Sequence, residues 1–156
     1  MRKSLVQCLV LTLVGLAAGF GFNAVSPHPL PVVPKAGQTV KGFRMVTTEE
    51  VKFYLQEEKS TRLVDARSRE EYSLGHIPGA LSVPEDDFEA SFAKAKDPLA
   101  KARWVIVYCS GGSCATSEMV AEKLAAKGLP ADRILIAGEG FPGWMRGKNP
   151  IESGLP

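Results

Sequence analysis

The sequence holds no internal repeat, no low-complexity tract and no basic stripe interleaved with aromatic residues, so neither a repeat architecture nor nucleic-acid binding is indicated. Charge of one sign is missing as well. The net charge of +2 owes to Arg2, Lys3 and Lys35, and setting those three aside leaves −1 from Gln38 onward. Histidine occurs twice and cysteine three times, as Cys8, Cys109 and Cys114. Cys109 and Cys114 lack two further clustered ligands, so no zinc site is expected, and no other metal or cofactor either. What remains is a chain of 156 residues, 45% hydrophobic and 23% charged, suited to one ordinary globular domain.

The start of the chain is different. Arg2 and Lys3 precede an uncharged run from Leu5 to Phe22, which marks residues 1–24 as a transmembrane anchor or a signal segment. A span needs about 17 to 25 apolar residues and a signal core only about 7 to 15, so its length favours the anchor. Ala17-Ala18-Gly19 offers small residues for cleavage but falls inside the apolar run. Cys8 lies before the body of that run, where a lipid-modified cysteine would follow it. The basic N-terminus then stays in the cytoplasm, and the domain is expected in the periplasm, anchored or, if the segment is cleaved, released there. Residues 25–38 are proline-rich and read as an extended linker, in which His28 takes no role.

Residues 39–156 form the folded domain. A strand is expected around Arg44 to Val46, followed by a helix opened by Thr47-Thr48-Glu49-Glu50 and running to about Lys59. Leu63 to Ala66 reads as a buried strand that delivers Asp65 and Arg67 to its C-terminal edge, where open parallel sheets bind ligands. A short helix from Arg69, a strand at Leu81 to Val83 and a helix from Glu85 to Lys96 follow. Another strand ends at Cys109, and the helix after it closes at Gly128, before a last strand at Arg133 to Ile136. Strands alternating with helices imply an α/β domain with a mainly parallel sheet.

Within V-I-V-Y-C-S-G-G-S-C-A, Cys109 stands between an apolar strand and a helix N-terminus. Unpaired amides and the helix dipole favour a thiolate there, which makes Cys109 the candidate nucleophile rather than an inert strand end. Adjacent glycines at 111 and 112 suit a chain that curls tightly around a ligand.

The segments D-A-R at 65–67, E-E-Y-S-L-G-H-I-P-G-A at 70–80, V-I-V-Y-C at 105–109 and G-E-G-F-P-G-W at 138–144 resemble a rhodanese-type sulfurtransferase domain. The resemblance implies a single such domain with a five-stranded parallel sheet flanked by helices. It also implies that Cys109 takes a sulfane sulfur from a small donor such as thiosulfate, becomes a persulfide and passes the sulfur to a thiol acceptor. Ser110, Gly111, Gly112, Ser113 and Ala115 would cradle the substrate with their amides. Many members carry arginine at the sixth loop position, where this chain has Cys114. Cys114 therefore stands either as a second catalytic thiol that resolves Cys109 into a disulfide, or as a small residue facing the core. The loop lacks the terminal arginine and extra length of related phosphatases.

Asp65 and Arg67 are expected to form a structural salt bridge, with Glu71 joining it, and His76 to be a hydrogen-bonded turn residue near the site. Thr116 and Ser117 would contact substrate or cap the helix, with Ser113. Phe141 and Trp144 are read as a turn packed against the sheet near the active edge, and Glu118 as a residue of unread direction. Two other functions stay open: thiol–disulfide exchange by Cys109 and Cys114, and a non-catalytic binding module. Oligomeric state is not readable.

Overall fold

The computed structural model describes residues 37–111 and 115–155. The expected anchor or signal at 1–24, the linker apart from Gly37 and Gln38, and the loop residues Gly112, Ser113 and Cys114 lie outside them. Among the described residues, no helix is long and apolar enough to cross a membrane.

Six strands make one sheet: β1 (Thr39–Val40), β2 (Phe43–Val46), β3 (Thr61–Asp65), β4 (Leu81–Ser82), β5 (Trp104–Tyr108) and β6 (Ile134–Ala137), in the order β1-β2-β6-β5-β3-β4. From β2 to β4 every pairing is parallel, which is the five-stranded sheet expected; β1 adds a short antiparallel edge. Two residues carry no readable alternation, so β1 is held by the hairpin with β2 rather than by any pattern of its own.

The central strands are buried on both faces, and their alternation sorts side chains into two cores. Val105 and Val107 of β5, with Ile134 and Ile136 of β6, pack beneath α3 (Phe88–Ala100) and α4 (Ala115–Ala126). Ile106 and Tyr108, with Leu135 and Ala137, face α1 (Thr48–Glu57), α2 (Arg69–Leu74) and α5 (Gly140–Arg146). Each fully buried aliphatic side chain contributes about 1.5–3 kcal/mol of transfer free energy.

Capping decides where the helices begin. Thr47 accepts from the Glu50 amide while Glu50 reaches back to the Thr47 amide, and Ser68 and Glu71 repeat that box ahead of α2. α3 starts three residues later than the expected Glu85, because residues 85–87 turn outward to meet neighbouring elements. Glu85 accepts from Lys123 of α4 at 2.6 Å, and Asp87 pairs with Arg69. The helix then runs past Lys96 and through Pro98, since burial of Leu99 anchors its last turn. The G-F-P-G-W segment is α5, not a turn: Pro142 falls in the first helical turn, where its missing amide proton costs nothing.

Candidate active site

β5 sets Cys109 at the C-terminal edge of the sheet, one residue beyond the last paired position, Tyr108, which lies beside Asp65. Cys109 is buried at 3% exposure. Its carbonyl accepts the Phe141 amide proton at 2.8 Å, and the Gly111 amide donates to its sulfur at 3.3 Å. The sulfur is disulfide-bonded; the chain's other cysteines, Cys8 and Cys114, both lie outside the described residues.

Two glycines allow this curl. Gly111 has φ +89, and a Cβ there would press on the Glu139 carbonyl at 3.3 Å. Gly140 has φ +56, and its Cβ would stand 2.5 Å from the Cys109 carbonyl oxygen and 2.6 Å from the Gly111 nitrogen. Any side chain at 140 would therefore push the nucleophile's loop off its seat.

Beneath the loop, Asp65 and Arg67 form a buried, forked ion pair. Arg67 Nη2 lies 2.6 Å from Asp65 Oδ2, and Nε lies 3.0 Å from Oδ1. Nη2 also donates to the Gly75 carbonyl at 2.7 Å, tying the turn after α2 to the sheet. The guanidinium is 4.0 Å from the Phe141 ring centroid and 5.6 Å from that of Tyr108. Burial works against its charge, but the hydrogen bond and charge of Asp65 more than offset this and raise its pKa. Burial, then the Asp65 charge, holds the Tyr108 phenol well above its ordinary range. Tyr108 thus stays neutral, and its oxygen accepts the Ile77 amide proton at 3.1 Å.

Glu71 does not join the ion pair. Its carboxylate caps α2 and, through Oε1, accepts from the Ser110 hydroxyl at 2.8 Å, which fastens the loop from the other side. His76 stacks on Tyr72 with centroids 3.7 Å apart, and its Nδ1 sits 2.9 Å from the Tyr72 carbonyl. Its backbone exchanges hydrogen bonds with Glu152, so it fastens the C-terminal segment and does not line the cleft.

Above Cys109 opens a cleft of about 340 Å³, lined by Ala66, Arg67, Ser68, Glu71, Glu85, Asp86, Cys109, Ser110, Gly111, Ala115 and Thr116. Of the expected cradle residues, Ser110, Gly111 and Ala115 line it, while Gly112 and Ser113 lie outside the described residues, as does Cys114. Ser117 is wholly buried in α4, and neither it nor Glu118 lines the cleft. Phe141 packs on Arg67 and Tyr108, and Trp144 is buried with its indole N–H donating to the Pro150 carbonyl at 2.7 Å. Sequence reasoning missed Glu85, Asp86, Tyr108 and Gly140. The acidic run after β4 was the available signal for the first two, because it follows a strand's C-terminal end, where such sheets bind ligands.

A family model for the rhodanese-like domain matches residues 47–146. A crystal structure of a rhodanese-like domain protein from Staphylococcus aureus is 30% identical, with 70% of this chain and 96% of that one covered and a TM-score of 0.55. A crystal structure of thiosulfate sulfurtransferase from Pseudomonas aeruginosa is 27% identical over 72% of this chain and 21% of that one, with a TM-score of 0.57. An HTH-type transcriptional regulator of Mycobacterium tuberculosis is 31% identical over 60% of this chain, which spans 38% of that relative's length.

Proposed function

The chain belongs to the rhodanese-like domain family, and we propose that it is a sulfurtransferase carrying sulfane sulfur as a persulfide on Cys109. One observation carries the reading: the Cys109 sulfur stands at the sheet's C-terminal edge, in an open cleft, with the Gly111 amide donating to it. In the reaction the Cys109 thiolate attacks the outer sulfur of a donor. The donor's S–S bond breaks, its electron pair leaves with the departing group, and the persulfide's negative charge is stabilised by the Gly111 amide. A thiolate acceptor then attacks the outer sulfur and returns Cys109 as a thiolate. The likeness to thiosulfate sulfurtransferase supports this chemistry as a class.

Intact mass spectrometry of the reduced chain after exposure to a sulfane-sulfur donor tests it, with Cys109→Ser and Cys114→Ser beside the wild type. A gain of one sulfur atom, absent in Cys109→Ser and longer-lived in Cys114→Ser, is the expected result. No sulfur gain in any variant overturns it and leaves disulfide exchange, if a reversible disulfide forms, or a binding module.

A second reading, thiol–disulfide exchange between Cys109 and Cys114, draws on the disulfide-bonded state of Cys109. It predicts a reversible disulfide with no sulfur gain. The proposed location is outside the cytoplasmic membrane, with residues 1–24 as anchor or signal; protease accessibility of the domain in osmotically opened cells, against intact spheroplasts, checks it.

A further inference from the structure

The charges around the cleft do not suit an anionic substrate. Glu71, Glu85 and Asp86 line it, and Arg67 is the one cation among its described lining residues. That guanidinium is committed to Asp65. The nearby cations are likewise spent: Lys123 on Glu85, and Arg69 on Asp87. Among the described residues no cation pairs with Glu71 or Asp86, so both carboxylates are left over at the mouth. The loop residues outside the described set, Gly112, Ser113 and Cys114, bring no cationic side chain either.

We infer that the cleft selects a sulfur compound whose reacting sulfur lies beside an ammonium group, and disfavours dianions such as thiosulfate. This rests on the sulfurtransferase reading and names its substrate class. A thiolate approaching Cys109 enters a cleft lined by Glu71 and Asp86, and charges closer than the Debye length of about 8 Å at physiological salt are only partly screened. An ammonium on the same small molecule offsets that repulsion and gains attraction from the two carboxylates. In the transfer step the aminothiolate forms a bond to the outer persulfide sulfur. The bond from that sulfur to Cys109 Sγ breaks, its electron pair stays on Cys109, and the thiol's proton has gone to solvent. No oxidant or reductant is consumed.

The test uses three disulfides of similar size: cystamine, bis(2-hydroxyethyl) disulfide and dithiodiglycolate, being cationic, neutral and anionic. Each reacts with the reduced full-length Cys114→Ser chain, and mixed-disulfide formation at the Cys109 peptide is followed by mass spectrometry. Every rate is divided by that of N-acetylcysteine amide, which cancels the reagent's own reactivity. At low salt the normalised cystamine to dithiodiglycolate ratio is expected to be about tenfold or more. It should fall toward unity in about 0.5 M salt and in the Glu71→Gln/Asp86→Asn double variant. A ratio near unity at low salt, or one unmoved by the double variant, overturns the inference. The same series run as acceptors on the persulfide, with cysteamine, 2-mercaptoethanol and mercaptoacetate, separates the two claims. A charge ratio as expected with sulfur moved to no acceptor overturns the sulfurtransferase reading and assigns the preference to disulfide exchange.

Discussion

The floor and the rim of the cleft use the same residue types to opposite ends. On the floor, Asp65 and Arg67 are at most 6% exposed, paired at 2.6 Å and wedged against two aromatic rings. On the rim, Glu71 and Asp86 face solvent, and among the described residues no cation is spent on them. A buried pair that cancels its own charge can hold geometry but presents almost no field to a substrate. Exposed carboxylates do the reverse: they contribute little to folding and set the potential that an incoming molecule meets. The difference teaches that an arginine in a cleft is not thereby an anion-binding arginine; what it is paired with decides.

Removing one half of the floor pair should break the contrast most severely. Asp65→Ala leaves a buried guanidinium uncompensated and should cost about 3–5 kcal/mol, read as a lower midpoint in urea unfolding. Next in size is Gly140→Ala. Its methyl would meet the Cys109 carbonyl at 2.5 Å in a backbone conformation with φ +56, so a loss of about 1–3 kcal/mol is expected, with slowed persulfide loading by mass spectrometry. The two variants differ in kind, because the first removes the support of the floor and the second displaces the loop above it.

The outline of this site was legible in the sequence where its signals are local. The capping box at Thr47 and Glu50, the apolar run into Cys109 and the i,i+2 placement of Asp65 and Arg67 all lie within a few residues. Contacts between distant segments were not legible. The family resemblance led to an expected Asp65–Arg67 ion pair with Glu71 joining it, but Glu71 caps its own helix and reaches Ser110 across 39 residues. Gly140 under Cys109 and Lys123 on Glu85 are likewise products of topology, which fixes neighbours that no local pattern encodes. β1 has two residues and hence no period, and a proline in G-F-P-G-W suggested a turn because its tolerance in a first helical turn depends on where the helix starts.

A smaller effect comes from Glu139, which joins the start of α5 to α1. Its carboxylate accepts the Thr48 amide proton at 2.9 Å, and those Thr48 hydrogen bonds, with Arg146, hold its pKa below the ordinary 4.5. A carboxylate with a depressed folded pKa stabilises fully above its unfolded value, and that contribution is lost as pH falls through the folded one. Glu139→Gln should therefore cost about 1 kcal/mol near neutrality, with the gap to wild type closing in acid. Urea unfolding of both proteins at pH 7 and at pH 3 measures it.

The smallest expected change in stability belongs to the rim, and its smallness is what sharpens the comparison. Glu71→Gln keeps one oxygen to cap α2 and offers its amide N–H to the Ser110 hydroxyl oxygen, reversing that bond, and Asp86→Asn alters an exposed residue. The double variant should unfold within about 0.5 kcal/mol of wild type, as surface substitutions do. Its charge preference at Cys109 should nevertheless collapse. A rim change that cost as much as the floor change would mean that Glu71 and Asp86 serve the fold first. A rim change silent in unfolding yet decisive in reactivity assigns stability to the buried pair and selectivity to the exposed one.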